Sequence, residues 1–157
     1  MQPKWKLSWL MVIAALPIAA ADPFTGTWKL NVEKSRTTAA KPAPPPKSLL
    51  VTYVGEGDAQ KTIVRVTMAD GVERTAEHAV PRDGKAHPRF SGAGENDTIT
   101  TRLIDEFTEE SVQRKDGRVT VTTVRAVSRD GKTMTATARS TGADGVPVET
   151  VSVYDRQ

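Results

Sequence analysis

The sequence predicts an all-β protein, an antiparallel up-and-down barrel of about eight to ten strands. Three observations support this fold class. Val and Thr dominate the chain beyond Asp22, and β-branched side chains suit a pleated sheet better than a helix. The dipeptide Asp-Gly occurs five times, as expected for tight turns between strands. No long window has the apolar spacing of an amphipathic helix.

The first 21 residues have the layout of a secretory signal. Lys4 and Lys6 precede an apolar run, and Ala19-Ala20-Ala21 offers a cleavage site. A membrane anchor is the alternative, but the run is shorter than the ~20 apolar residues that span a bilayer. We expect an exported protein, periplasmic or secreted, with one domain over residues 22–157 and no stable membrane insertion after cleavage.

The charge balance argues against nucleic acid as a partner. The chain has 22 basic and 19 acidic side chains, and two of the basic ones belong to the predicted signal. The remaining residues are almost neutral, whereas binding to phosphate backbones needs clustered Lys and Arg. The chain has no Cys, so packing and backbone pairing must hold an exported fold together. The oligomeric state is left open.

Turn signals divide the chain beyond Asp22 into ten candidate strands. The five Asp-Gly pairs predict type I′ turns with positive φ at both residues, and further turns are expected at 91–97 and 105–106. A flat sheet of this length would leave two unpaired edges, so closure into a barrel is expected. A β-sandwich is the second possibility. The strands are expected at 25–33, 48–56, 60–69, 72–80, 85–90, 98–104, 107–115, 118–128, 133–141 and 146–155.

The one long linker is rich in proline. Residues 34–48 contain Pro42 and the run Pro44–Pro46, which force an extended backbone and exclude a helix. We expect a semi-rigid strap across one end of the barrel, between the first and second strands. The alternative is a proline-rich ligand for a partner domain.

The folded part begins with Gly26-Thr27-Trp28. This run, followed by a proline-rich strap, a β-meander and a final VSVYDRQ, resembles small exported bacterial lipocalin-like (calycin) proteins of unassigned function. The resemblance implies that Trp28 packs at the closed end of a barrel under a basic side chain from a last strand. Arg156 is the residue in the right place, with Tyr154 beside it, and Arg139 fits less well.

No catalytic motif stands out, and no cofactor or metal is expected. The chain has no Cys and no nucleophile-elbow, zinc-protease or phosphate-loop motif. His78 and His87 flank Asp83-Gly84 and could approach each other, with Asp83 or Glu77 as further metal ligands, but ordinary strand histidines are the simpler interpretation. The consecutive pair Glu109-Glu110 would point to opposite faces of a strand.

Five side chains are candidates for ligand binding inside the barrel. Four predicted strands each have one face that mixes apolar or small residues with a single arginine, and one of these faces also carries a histidine. Turned inward, such guanidiniums would suit a carboxylate or phosphate head group. The candidates are Arg65, Arg74, His78, Arg102 and Arg125.

The alternative is that these faces point outward and their arginines are solvated. On the third strand the alternative row of Val64, Val66 and Met68 is the more apolar, which would leave its arginine in solvent. On the ninth strand, Met134 and Ala136 belong to a row of mostly small residues that would leave space in the lumen.

The leading hypothesis is therefore a non-enzymatic exported barrel that binds a small amphipathic, hydrophobic or acidic molecule in its lumen. One alternative is an interaction module of the envelope or medium with a filled barrel. Another is an enzyme with carboxylates at the barrel mouth.

Overall fold

The structure, a computed structural model, describes residues 22–56, 59–89 and 97–157. These residues form ten antiparallel strands and no helix, which confirms the predicted fold class. Among them there is no helical segment that could cross a membrane. The predicted signal and most of the turn predicted at 91–97 lie outside the described residues. The strands are β1 Gly26–Thr37, β2 Ser48–Glu56, β3 Ala59–Thr67, β4 Glu73–Pro81, β5 Asp83–Pro88, β6 Asp97–Asp105, β7 Thr108–Lys115, β8 Arg118–Val127, β9 Thr133–Thr141 and β10 Pro147–Arg156.

The sheet curls into a nearly closed barrel in which the first and last strands pair. The strand order is β4-β3-β2-β1-β10-β9-β8-β7-β6-β5, so β1 and β10 are neighbours in the interior of the sheet. Trp28 on β1 lies opposite Arg156 on β10. Closure by this pairing was predicted, and it excludes the β-sandwich.

The sheet has a discontinuity between β4 and β5. These strands are the two ends of the sheet order and share no ladder in the part of the chain that the structure describes. Only Arg82 separates them. The hairpin predicted at Asp83-Gly84 is therefore wrong, because this pair lies inside β5. Pro81 at the end of β4 has no N–H to donate, which suits an edge strand.

The other Asp-Gly pairs do form turns, but of two kinds. At Asp116-Gly117 both residues have positive φ (49° and 74°), as a type I′ turn requires. At Gly71, Gly131 and Gly145 only the glycine has positive φ, and its N–H bonds to the carbonyl three residues earlier. The loops at Gly71 and Gly145 have three residues and the loop at Gly131 has four, each with a single glycine of positive φ, so the prediction of type I′ turns is wrong there.

One end of the barrel is sealed around Trp28. Its side chain is fully buried, and its Nε1 donates to the carbonyl of Phe24 at 2.8 Å. The Arg156 guanidinium lies 4.2 Å from the centre of the indole ring and donates to the carbonyls of Pro23 and Thr25. Gly26 has φ 130°, and a Cβ there would lie 2.7 Å from Arg156 Nη1. The structure thus brings together the three residues that the resemblance singled out.

The proline-rich linker is shorter than predicted. β1 continues to Thr37, so the strap between β1 and β2 covers residues 38–47 instead of 34–48. The strap is held to β10, where Thr38 N donates to the carbonyl of Glu149 at 2.9 Å. Arg139 on β9 lies on the exposed outer face, with Nε 3.0 Å from Glu149 Oε2. It takes no part in the contacts around Trp28 described above.

Candidate functional site

The register decides which side chains face the interior of the barrel. Directly paired residues of neighbouring strands share a face, and Trp28, Val51 and Val64 lie in register across β1, β2 and β3. Continued around the sheet, this rule gives an inner face that combines apolar side chains with many polar ones. Its buried members include Tyr53, Gln60, Thr62, Val80, Ile99, Thr101, Glu109, Ser111, Thr123, Val127 and Met134.

Two of the five predicted ligand-binding residues line the interior. Arg125 on β8 lies in register with Glu109 on β7 and with Ala136 on β9, so the small residues of β9 do face inward. His78 lies in register with Thr62 on β3, which is buried. Arg74 lies on the same face of β4 as His78, but it is exposed because it is near the start of the strand.

The remaining two candidates, Arg65 and Arg102, point away from the interior. Arg65 is in register with Leu50 and is exposed on the outer face, because the more apolar row of β3 turns inward. Arg102 is also on the outer face, where its Nη2 lies 2.9 Å from Glu110 Oε2. A lumenal position for Arg65 and Arg102 is therefore wrong.

A buried carboxylate organises the interior. Glu109 is only 1% exposed, and its Oε1 accepts a hydrogen bond from Arg125 Nη1 at 2.9 Å. Its Oε2 lies 2.9 Å from Arg82 Nε, but the two groups are not aligned for a hydrogen bond. Arg125 Nη1 also donates to Ser111 Oγ at 3.0 Å, and Arg82 pairs with Asp22. The network thus connects β7 and β8 to the residue between β4 and β5.

Burial and charge set the protonation of the groups in the interior. The pKa of His78 is lowered by burial and then by the nearby charges of Arg125 and Arg89, so the imidazole is neutral at pH 7. Burial acts to lower the pKa of Arg125, but Tyr53 and Glu109 outweigh it and the net pKa is raised. Burial also raises the pKa of Tyr53. The interior therefore holds the Arg125–Glu109 ion pair beside a neutral imidazole and a neutral phenol.

Two cavities lie next to each other around Arg125. The outer cavity has a volume of about 520 Å³ and reaches Glu77 on β4 and Arg89 just after β5, the two strands beside the discontinuity. The inner cavity has a volume of only about 20 Å³. Arg125, His78 and Ile99 border both cavities.

The linings of the two cavities differ in polarity. The outer cavity includes apolar surface from Val64, Ala76 and Ile99. The inner cavity is lined mainly by hydroxyl, amide and charged groups, and its polar members are Tyr53, Gln60, Thr62, His78, Thr101, Glu109 and Arg125.

The two histidines do not form a metal site. His87 Nε2 lies 2.9 Å from Asp83 Oδ1, whereas Glu77 is paired with Lys61 at 2.9 Å. Within the described ranges, no group of three or more His, Asp or Glu side chains could hold a metal ion.

Three residues in or beside the interior, Gln60, Arg82 and Glu109, were not identified as functional from the sequence. Nothing local distinguishes Gln60 or Glu109 from solvent-exposed strand residues. Arg82 could have been noticed, because Pro81 directly before it indicates a strand edge.

Comparison with known proteins identifies the fold. No protein-family model and no curated protein sequence matches this chain. Solved structures are similar in fold at low sequence identity. A mutant of the fluorescent protein UnaG is 17% identical, with a TM-score of 0.56 over 86% of this chain and 96% of that chain.

Two other similar structures are of proteins named for the ligands that they bind. The zebrafish ileal bile acid-binding protein complexed with cholic acid is 14% identical, with a TM-score of 0.52 over 86% of this chain and 99% of that chain. As-p18, an extracellular fatty acid binding protein, is 14% identical, with a TM-score of 0.52 over 87% and 97%. The chain therefore shares the up-and-down β-barrel fold of these proteins.

Proposed function

We propose that this protein binds a small amphipathic molecule with an acidic head group inside its barrel. The observation that carries the proposal is the outer cavity, where apolar surface from Val64, Ala76 and Ile99 meets the guanidiniums of Arg125 and Arg89. Its volume of about 520 Å³ is within the range of small-molecule sites, roughly 300–1,000 Å³. The apolar residues would hold a hydrocarbon body and the arginines its head group.

Arg125 is well placed to bind an anion. Both of its hydrogen bonds, to Glu109 and Ser111, use Nη1. A guanidinium has five N–H donors, so Nε and Nη2 can still donate to a carboxylate. Among the residues that the structure describes, the outer cavity has one carboxylate in its lining, Glu77, which is already paired with Lys61. The cavity is thus better suited to an acid than to an amine.

The similar structures support the same class of ligand. Among proteins that share this fold, one is complexed with cholic acid and another is a fatty acid binding protein. The predicted secretory signal in residues 1–21 leads us to propose that binding takes place in the periplasm or medium. On this proposal the protein is a carrier and not an enzyme.

The test is calorimetric titration of residues 22–157 with decanoate, decanol and decylamine. We expect decanoate to bind most tightly. Arg125→Gln should weaken decanoate binding roughly 10- to 100-fold, because a hydrogen bond to a charged group is worth about 1.5–3 kcal/mol. The matched control is Arg65→Gln on the outer face, which should leave binding unchanged.

A second pair of variants keeps the test independent of the buried network. Ala76→Trp would fill the outer cavity and should abolish binding, whereas Thr75→Trp, on the exposed outer face of the same strand, should not. If the wild-type protein binds none of the three amphiphiles, the proposal is wrong and an interaction module becomes the better interpretation.

A further inference from the structure

The inner cavity contains a buried donor that has no acceptor. Gln60 faces inward from β3, in register with Val80 on β4, and is only 8% exposed. Its Nε2 is buried and makes no hydrogen bond with any described residue. Buried amide N–H groups are nearly always paired in folded proteins, so this one calls for a partner.

The same cavity contains an acceptor that lacks an aligned hydrogen bond. Glu109 Oε2 is buried and accepts no hydrogen bond among the residues that the structure describes, since Arg82 Nε is close but misaligned. Gln60 and Glu109 both line the inner cavity. The group that fits must therefore accept from an amide and donate to a carboxylate.

The volume of the inner cavity limits the size of that group. About 20 Å³ holds one oxygen-sized atom, because a single water needs roughly 10–15 Å³ of such space. A carboxylate oxygen would fit by size but cannot donate, and Glu109 would repel its charge. A hydroxyl both donates and accepts and is neutral.

We propose that the inner cavity is a hydroxyl subsite and that the preferred ligands are hydroxylated acids. This inference rests on the proposed function and makes its ligand class narrower. Arg125 borders both cavities, so the head-group carboxylate and the hydroxyl must lie close together on the ligand. The class that meets this condition is a 2- or 3-hydroxy carboxylic acid with an apolar tail in the outer cavity. Gln60 is then a specificity-determining residue.

The test compares decanoate with 2-hydroxydecanoate and 3-hydroxydecanoate by calorimetric titration. We expect at least one hydroxy acid to bind the wild-type protein roughly 10-fold more tightly than decanoate, because a site with buried polar groups discriminates against ligands that leave them unpaired. Gln60→Met has a similar shape and no donor. It should lose the preference for the hydroxy acid and keep the affinity for decanoate.

Two further variants guard against misinterpretation. Gln60→Leu also removes the donor and adds no charge beside Glu109, so it should lose the preference too. Arg65→Gln, on the outer face of the same strand, should retain it. Thermal melting shows whether each variant folds.

The possible failures are distinguishable. Equal affinity of the wild-type protein for decanoate and both hydroxy acids overturns the hydroxyl subsite and leaves the proposed function standing. A preference that persists in both Gln60 variants places the hydroxyl elsewhere and also overturns it. No binding of any acid overturns the proposed function itself.

Discussion

The inner and outer faces of β7 carry the same ion pair in two different environments. Glu109 and Glu110 are consecutive, and each contacts an arginine at 2.9 Å, Arg125 inside and Arg102 outside. Glu109 and the Arg125 side chain are 1% and 20% exposed, whereas Glu110 and Arg102 are 23% and 61% exposed. Water can replace the partner of either outer residue. Glu109 inside the barrel has no such alternative, so it depends on its arginine partners.

The largest expected effect follows from this dependence. Glu109→Ala should lower the free energy of unfolding by about 3–5 kcal/mol, because it leaves two buried guanidiniums without their shared carboxylate. Glu110→Ala should lower it by no more than about 1 kcal/mol, because Arg102 is largely solvated. Urea denaturation of both variants measures the difference.

A suitable control is Glu109→Gln, which keeps the shape and an acceptor oxygen. It should be destabilised by an amount between those of the alanine variants. Equal losses in Glu109→Ala and Glu110→Ala would show that the two faces do not differ in the way described here.

Gly26 and Gly55 allow the same kind of comparison for steric room instead of charge. Gly26→Ala should lower the free energy of unfolding by about 1–3 kcal/mol, because φ 130° strains any other residue and the new Cβ would displace Arg156 from Trp28. A Cβ on Gly55 would meet nothing within 4 Å, and φ is not positive there.

Thermal melting of Gly26→Ala and Gly55→Ala checks this prediction. Gly55→Ala should change stability by less than about 1 kcal/mol, and a small gain is the expected direction because alanine restricts the unfolded chain. A Gly26→Ala protein as stable as the wild type would show that Arg156 is not held in place by its contacts.

The strands and the closure of the barrel were predictable from the sequence. Which face of each strand turns inward was predictable only in part. Local turn chemistry and β-branched residues specify where strands begin and end. The choice of face depends on which row is more apolar, and on β3 this contrast was clear enough to place Arg65 outside. On β6 the rows are similar, with Arg102 in one and Thr101 in the other, so tertiary packing made the choice.

The buried network could not be predicted, because its members are far apart in sequence. Glu109 is acceptable inside only because Arg125 and Arg82 meet it, and that depends on the completed barrel. The discontinuity at Arg82 does have a local signal in the sequence. Pro81 and Pro88 lie at the ends of β4 and β5, and proline within a sheet favours edge strands.

The pH dependence of stability should report His78 on the inner face. Its folded-state pKa is lowered, so below pH 6.5 the unfolded chain binds a proton that the folded protein resists. The contribution of His78 is therefore fully present above pH 6.5 and is lost as the pH falls below that value.

Urea denaturation at pH 7.5 and 5.5 measures this loss. The decrease in the free energy of unfolding should be smaller in His78→Gln than in the wild type. Because an anion beside His78 would favour the imidazolium, decanoate should also bind more tightly to the wild type at the lower pH. A pH response of His78→Gln identical to that of the wild type would contradict this assignment.

The smallest change in stability is expected for Arg139 on the outer face of β9. Comparing Arg139 with Arg156 tests which of the two arginines contacts Trp28. Arg139→Gln breaks an exposed pair with Glu149 and should change stability by about 0.5 kcal/mol or less. Arg156→Gln removes the guanidinium 4.2 Å from the indole and should shift the fluorescence of Trp28, the only Trp in residues 22–157. Emission spectra of both variants decide the matter. A shift in Arg139→Gln equal to that in Arg156→Gln would mean that the outer face influences the sealed end, which the contacts described here do not allow.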